Sequence, residues 1–154
     1  MNSTFKTLGH LLDNAVDTHR KAARLYVSLS IKAGDPRCRM LLEDMASYEF
    51  RMAKLVNQFV RQAQPVALDT YMQYTVEESP QALIREQAPD ADQPTLKQIS
   101  QMGQNLHEYQ INLLEVARRE LGGQEALELL DNLLQLEKAE GRSFALKTAS
   151  AYEI

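Results

Sequence analysis

The chain has 154 residues, of which 44% are hydrophobic and 25% charged, so it is long enough for one globular domain with a buried core. Its formal net charge of −4, without any basic cluster, argues against nucleic acid as a partner. The single cysteine, Cys38, cannot form an intrachain disulfide and favours a reducing, cytoplasmic location. We expect no signal peptide at residues 1–10 and no membrane association, because no apolar run approaches the roughly 20 residues that cross a bilayer.

The first half of the chain predicts two helices joined by a glycine turn. Apolar residues recur in steps of three and four over about residues 4–33, and Gly34 offers a C-terminal stop. The second helix starts after Asp35 and Pro36, which suit the N-cap and the first helical position, and it ends before Pro65. The two stripes consist of Leu8, Leu12, Ala15, His19, Ala22, Tyr26 and Leu29, and then of Leu42, Met45, Glu49, Met52, Val56 and Phe59.

Residues 65–94 break this periodicity, because prolines recur through them. A short helix is predicted over about residues 80–87. The whole stretch is too long for a tight turn between antiparallel helices. We interpret it as a crossover connection inside one domain, because neither flanking half could bury its apolar stripe alone.

The second half of the chain repeats the pattern of the first. A third helix is predicted over about residues 94–121 and a fourth over about residues 124–152, with the Gly122–Gly123 pair between them. The third stripe consists of Ile99, Met102, Leu106, Gln110, Leu113 and Ala117, flanked by His107, and the fourth of Leu130, Leu133, Glu137, Glu140 or Gly141, Phe144 and Thr148.

The most informative feature is a repeat of polar residues on or beside these stripes. His19 precedes Glu49 by 30 residues, His107 precedes Glu137 by the same 30, and the two pairs are offset by 88 residues. Polar side chains at core positions cost free energy unless they are satisfied. Two hairpins joined by a crossover make a four-helix bundle, and mid-helix positions of each hairpin then share one layer of its core. We therefore expect a single domain over residues 1–154, with hairpin 1 at 4–64, the crossover at 65–94 and hairpin 2 at 95–152.

Residues 15–26 and 35–49 carry a likeness to a known group of proteins. In these stretches the chain resembles the ferritin-like superfamily, and within it the rubrerythrin-type di-iron carboxylate proteins. The resemblance implies an all-α, ferritin-like four-helix bundle, and in such proteins homodimers or larger homo-oligomers are common. It also implies a metal centre in which two helices each give one Glu and the other two each give Glu-x-x-His.

This chain departs from that ligand pattern. Glu49 and Glu137 match the first residue of each Glu-x-x-His, whereas Met52 and Glu140 stand where the family has His. His19 and His107 stand at the single-Glu places.

The leading hypothesis is a metal site in the bundle core, with iron, manganese or zinc held singly or as a pair. Its ligands would be His19, Glu49, His107, Glu137 and Glu140. If the protein is an enzyme, the resemblance implies an oxidoreductase of the di-iron type, with a redox partner and catalytic residues that the sequence does not identify.

The competing hypothesis needs no metal. His19 with Glu49 and His107 with Glu137 would form two buried ion pairs that satisfy one another. The protein would then be a degenerate ferritin-like bundle that acts as a structural or protein-interaction module.

Overall fold

The computed structural model describes residues 3–78 and 93–154, and in them four long helices dominate. The all-α prediction is confirmed, with a small two-stranded sheet added at the N-terminus. The elements in chain order are β1 (Ser3–Thr7), α1 (Leu8–Lys32), α2 (Pro36–Gln62), α3 (Pro65–Leu68), β2 (Tyr71–Glu78), α4 (Leu96–Glu120) and α5 (Gln124–Tyr152).

Local capping chemistry sets where the long helices begin. At the start of α1, the Thr7 side chain accepts a hydrogen bond from the backbone amide of His10. At the start of α2, the Asp35 side chain accepts one from the backbone amide of Arg37, and Pro36 occupies the first helical position. Thr95 and Gln98 form a reciprocal capping box at the start of α4. These caps fix the first residues of α1, α2 and α4, whereas α5 begins after Gly123 without a side-chain cap.

The first helix begins later than the sequence indicates, and this part of the prediction was wrong. Residues 3–7 form β1, which pairs antiparallel with β2 from Ser3 opposite Glu78 to Thr7 opposite Tyr71. Threonine and phenylalanine favour strands, and an available partner strand outweighs the weak helical pattern here. The first part of the predicted crossover is therefore α3 and β2, while the short helix predicted at 80–87 lies outside the described residues.

Two apolar clusters fill the bundle, one above and one below its middle. One contains residues from the start of α1, the second half of α2 and the first half of α5, including Leu12, Val56 and Leu130. The other contains the end of α1 and the start of α2, including Tyr26 and Leu42. Along α1, α2 and α5 the boundary between the clusters is a short polar layer. No described helix is long and apolar enough to pass through a membrane.

Candidate functional site

The polar layer consists of one imidazole between two carboxylates. Nδ1 of His19 on α1 lies 2.5 Å from Oε2 of Glu49 on α2. Nε2 of the same ring lies 2.7 Å from Oε1 of Glu137 on α5. The exposed fractions are 1% for His19, 4% for Glu49 and 1% for Glu137. We call these three residues the ion triad. It links three of the four long helices at one depth.

The hydrogen bonds of the ion triad require a charged histidine. A neutral imidazole has one donor and one acceptor nitrogen, whereas an imidazolium donates from both. Burial by itself would lower the pKa of His19, but the charges of Glu137 and Glu49 and the hydrogen bonds to them outweigh it and raise the pKa to about 10. His19 is therefore protonated at neutral pH and donates to both Glu49 and Glu137.

The surroundings of the ion triad contain polar atoms without hydrogen-bond partners among the described residues. They are the second oxygen of Glu137, the hydroxyls of Tyr26 and Tyr48, and the amide nitrogens of Asn14 and Gln110, which line a small cleft with His19 and Glu137. Burial, followed by the charge of Glu49, raises the pKa of both tyrosines well above the ordinary value, so both phenols stay protonated and can donate. Such groups usually have a partner in a folded protein, because leaving them bare costs about 1–3 kcal/mol each.

His107 does not join the ion triad. It is half-buried on α4, and its ring lies against Gly141 on α5. A Cβ atom at position 141 would come within 2.3 Å of His107 Cε1, so the ring fits only because this residue is glycine. The predicted pairing of His107 with Glu137 is replaced, since Glu137 Oε1 is bonded to His19.

The two histidines of the repeat differ in their surroundings. At the offset of 88 residues, Gly141 corresponds to Ala53 on α2, which is buried. The space beside Gly141, called the notch from here on, holds the His107 ring, whereas the His19 ring lies in the core between the two carboxylates.

Glu140 also lies apart from the ion triad. Its Oε2 is 2.7 Å from a guanidinium nitrogen of Arg51, and the two side chains are 27% and 53% exposed. Met52, which stands where the resembling family has histidine, is fully buried in the core. The structure thus brings together His19, Glu49 and Glu137 and leaves His107 and Glu140 outside. No cluster of three or more His, Cys, Asp or Glu side chains suited to a metal ion is found within residues 3–78 and 93–154.

A cavity of about 150 Å³ lies beside the ion triad, between α2, α4 and α5. Glu49, Tyr26 and Tyr48 line it on the triad side, and His107 with Gly141 lines it elsewhere. The sequence analysis did not single out Tyr48 or this cavity. The available signal was the pair of glycines inside helices, Gly103 and Gly141, which line the cavity and usually mark a close approach or a packing need.

Comparison with known proteins supports the fold but goes no further. No family model matches the chain, and no curated protein matches it. A solved structure from Thermotoga maritima, of a protein proposed to be a ferritin-like diiron-carboxylate protein, matches with a TM-score of 0.57 over 94% of this chain and 96% of that one. The identity is 17%, which shows the fold alone. The predicted ferritin-like architecture is therefore confirmed: this chain has a ferritin-like fold.

Proposed function

We propose that this protein is a metal-independent ferritin-like bundle, in which the His19 imidazolium supplies the positive charge that a metal supplies in di-iron relatives. It then acts as a binding or interaction module rather than as an oxidoreductase. The observation that carries the proposal is that both ring nitrogens of His19 are bonded to carboxylates, one to Glu49 and one to Glu137.

The donor set fits a metal poorly in this arrangement. A metal ligand must be a neutral imidazole with a free lone pair on the metal side. The two nitrogens of one imidazole point away from each other, so a cation on either one would face only Glu49 or only Glu137. The imidazole itself fills the space between the carboxylates, and Glu140 is engaged by Arg51. We therefore derive no redox step for this site.

One observation favours the competing candidate, a metal site formed by His19, Glu49, His107, Glu137 and Glu140. Glu137 Oε2 is buried without a partner among the described residues, and a cation would satisfy it. The Thermotoga maritima neighbour is described as a diiron-carboxylate protein. Iron, manganese or zinc could bind if the His19 ring broke its hydrogen bond to one carboxylate and the His107 ring moved away from Gly141. The family resemblance would then imply oxidoreductase chemistry of the di-iron type.

Elemental mass spectrometry on protein purified from medium supplemented with iron, manganese and zinc separates these candidates. We expect less than about 0.1 equivalent of each metal, and a thermal unfolding midpoint that a chelator does not change. One or two equivalents of a metal in the wild type, lost in Glu137→Gln, would overturn metal independence, and loss in Glu140→Gln as well would identify Glu140 as a further ligand. Retention in the Glu137→Gln variant would instead locate the metal outside the ion triad.

The homodimer that the family resemblance implies remains a proposal. Several large apolar side chains are exposed in the single chain, among them Ile31 at 77% and Leu146 at 74%. Light scattering during gel filtration measures the mass directly, and a mass near 17.5 kDa would contradict the dimer.

A further inference from the structure

We infer that the cavity beside the ion triad is a binding site for a small neutral molecule with an apolar body and one oxygen acceptor, such as a cyclic ketone. The choice of a neutral ligand rests on the proposed function, because it uses the metal-free charge of the ion triad, whereas the cavity and its two phenols do not.

The first argument is the shape and lining of the cavity. Its volume of about 150 Å³ is that of protein cavities which accept a benzene-sized molecule. Most of its wall is apolar, and Tyr48 and Phe144 stack across part of it with ring centroids 4.5 Å apart. An apolar wall of this kind favours a ligand with an apolar body.

The second argument is the pair of phenols. Tyr26 and Tyr48 line the cavity, are 1% and 8% exposed, and carry hydroxyls with no partner among the described residues. Both hydroxyls are donors in need of an acceptor, and a buried donor left bare is destabilising. A carbonyl or ether oxygen inside the cavity would supply the missing acceptor.

The third argument is charge, which selects a neutral ligand. Glu49 lines the same cavity and belongs to an ion triad with two carboxylates and one imidazolium. This excess of negative charge repels an anionic ligand in a low-dielectric space. A cation would be attracted, but it would leave both phenol donors without an acceptor.

His107 lies at the edge of this site. It lines the cavity on one side and, on the other, an outer depression that it shares with Glu108 and Arg142. Its ring lies against Gly141, and no hydrogen bond or ion pair to it is seen in the described part of the chain. This places His107 between the cavity and the solvent, where a ligand would enter.

The test is a titration of the purified full chain, followed by calorimetry and NMR, with four six-membered-ring probes. Cyclohexanone is the expected ligand, and cyclohexane, cyclohexanecarboxylate and cyclohexylammonium are its apolar, anionic and cationic counterparts. We expect cyclohexanone to bind with a Kd of about 1 mM or below, more tightly than the other three. Tighter binding of the ammonium or the carboxylate would overturn the assignment to a neutral ligand, and absence of binding by all four would overturn the site.

Two variants locate the binding. Tyr48→Phe removes only the hydroxyl, so it should weaken cyclohexanone about tenfold and leave cyclohexane unchanged. Ala149→Leu adds volume to the wall and should abolish binding of every ring probe while the chain stays folded by circular dichroism. Unchanged cyclohexanone affinity in both folded variants would show that the probe binds elsewhere.

Discussion

The two helical hairpins share a sequence repeat, but their histidines lie in different environments. In the first hairpin, α1 and α2 pack more closely than α4 and α5 do in the second. His19 enters the core and bonds to two carboxylates, whereas His107 lies in the notch at Gly141 beside a cavity. The two hairpins also differ at equivalent positions of the repeat, with Ala53 in the first and Gly141 in the second. A twofold sequence pattern therefore does not by itself produce a twofold site.

The largest effect should come from removing the core histidine. His19→Gln deletes the cation bonded to Glu49 and Glu137, the only one seen in residues 3–78 and 93–154, and breaking a buried ion pair costs about 3–5 kcal/mol. Urea denaturation at pH 7 measures the free energy of unfolding. The matched variant His107→Gln should lose less than about 1 kcal/mol, because His107 makes no ion pair within the described residues. Equal losses in the two variants would contradict the asymmetry between the hairpins.

The second-largest effect should be a pH dependence of the free energy of unfolding that comes from His19 in the first hairpin. The folded pKa of His19, about 10, lies above the ordinary value of 6.5, so its stabilisation is complete below pH 6.5 and is lost as pH rises through 10. Across that window the free energy of unfolding of the wild type, relative to His19→Gln, should fall by about 1.4 kcal/mol per pH unit. Urea denaturation at several pH values from 6 to 9.5 measures this difference. A difference that stays constant with pH would mean that His19 is not protonated in the folded chain.

The notch itself can be tested by filling it. Gly141→Ala places a Cβ within 2.3 Å of the His107 ring, so overpacking of about 1–3 kcal/mol should exceed the helical preference for alanine of about 1 kcal/mol. In a His107→Ala background the same change should stabilise by about 0.5–1 kcal/mol. A double-mutant cycle of thermal unfolding measures the coupling between the two positions. Additive effects would show that the ring does not depend on the glycine.

The smallest effect should come from the exposed carboxylate of the second hairpin. Glu140→Gln removes a partly exposed pair with Arg51, and such pairs contribute about 0–1 kcal/mol. Chemical denaturation in low and high salt provides the measurement. A loss of several kcal/mol in this variant would mean that Glu140 has a role in the core that its exposure does not suggest.

Much of the fold could be predicted because helical period, caps and glycine stops are local signals. Asp35–Pro36 and Thr95 mark helix starts in the sequence as they do in the structure. The strand at residues 3–7 was missed because its formation depends on pairing with β2, which lies more than 60 residues away in the sequence. A pattern inside a short window cannot contain that partner.

The candidate site was predictable in its members but not in its connections. His19, Glu49 and Glu137 stand out as polar residues on apolar stripes, which any periodicity argument detects. That one imidazole binds both carboxylates depends on how closely neighbouring helices pack, which differs between the two hairpins. Such differences are smaller than the helix diameter and have no signature in hydrophobic periodicity.

The ion triad has a further consequence for how the helices align during folding. Sliding α1, α2 or α5 by one turn would move a charged group away from its partners and strand it in an apolar cluster. Apolar residues tolerate such shifts, whereas a buried charge does not. We therefore expect the ion triad to disfavour misaligned bundles and to help select one packing arrangement of α1, α2 and α5.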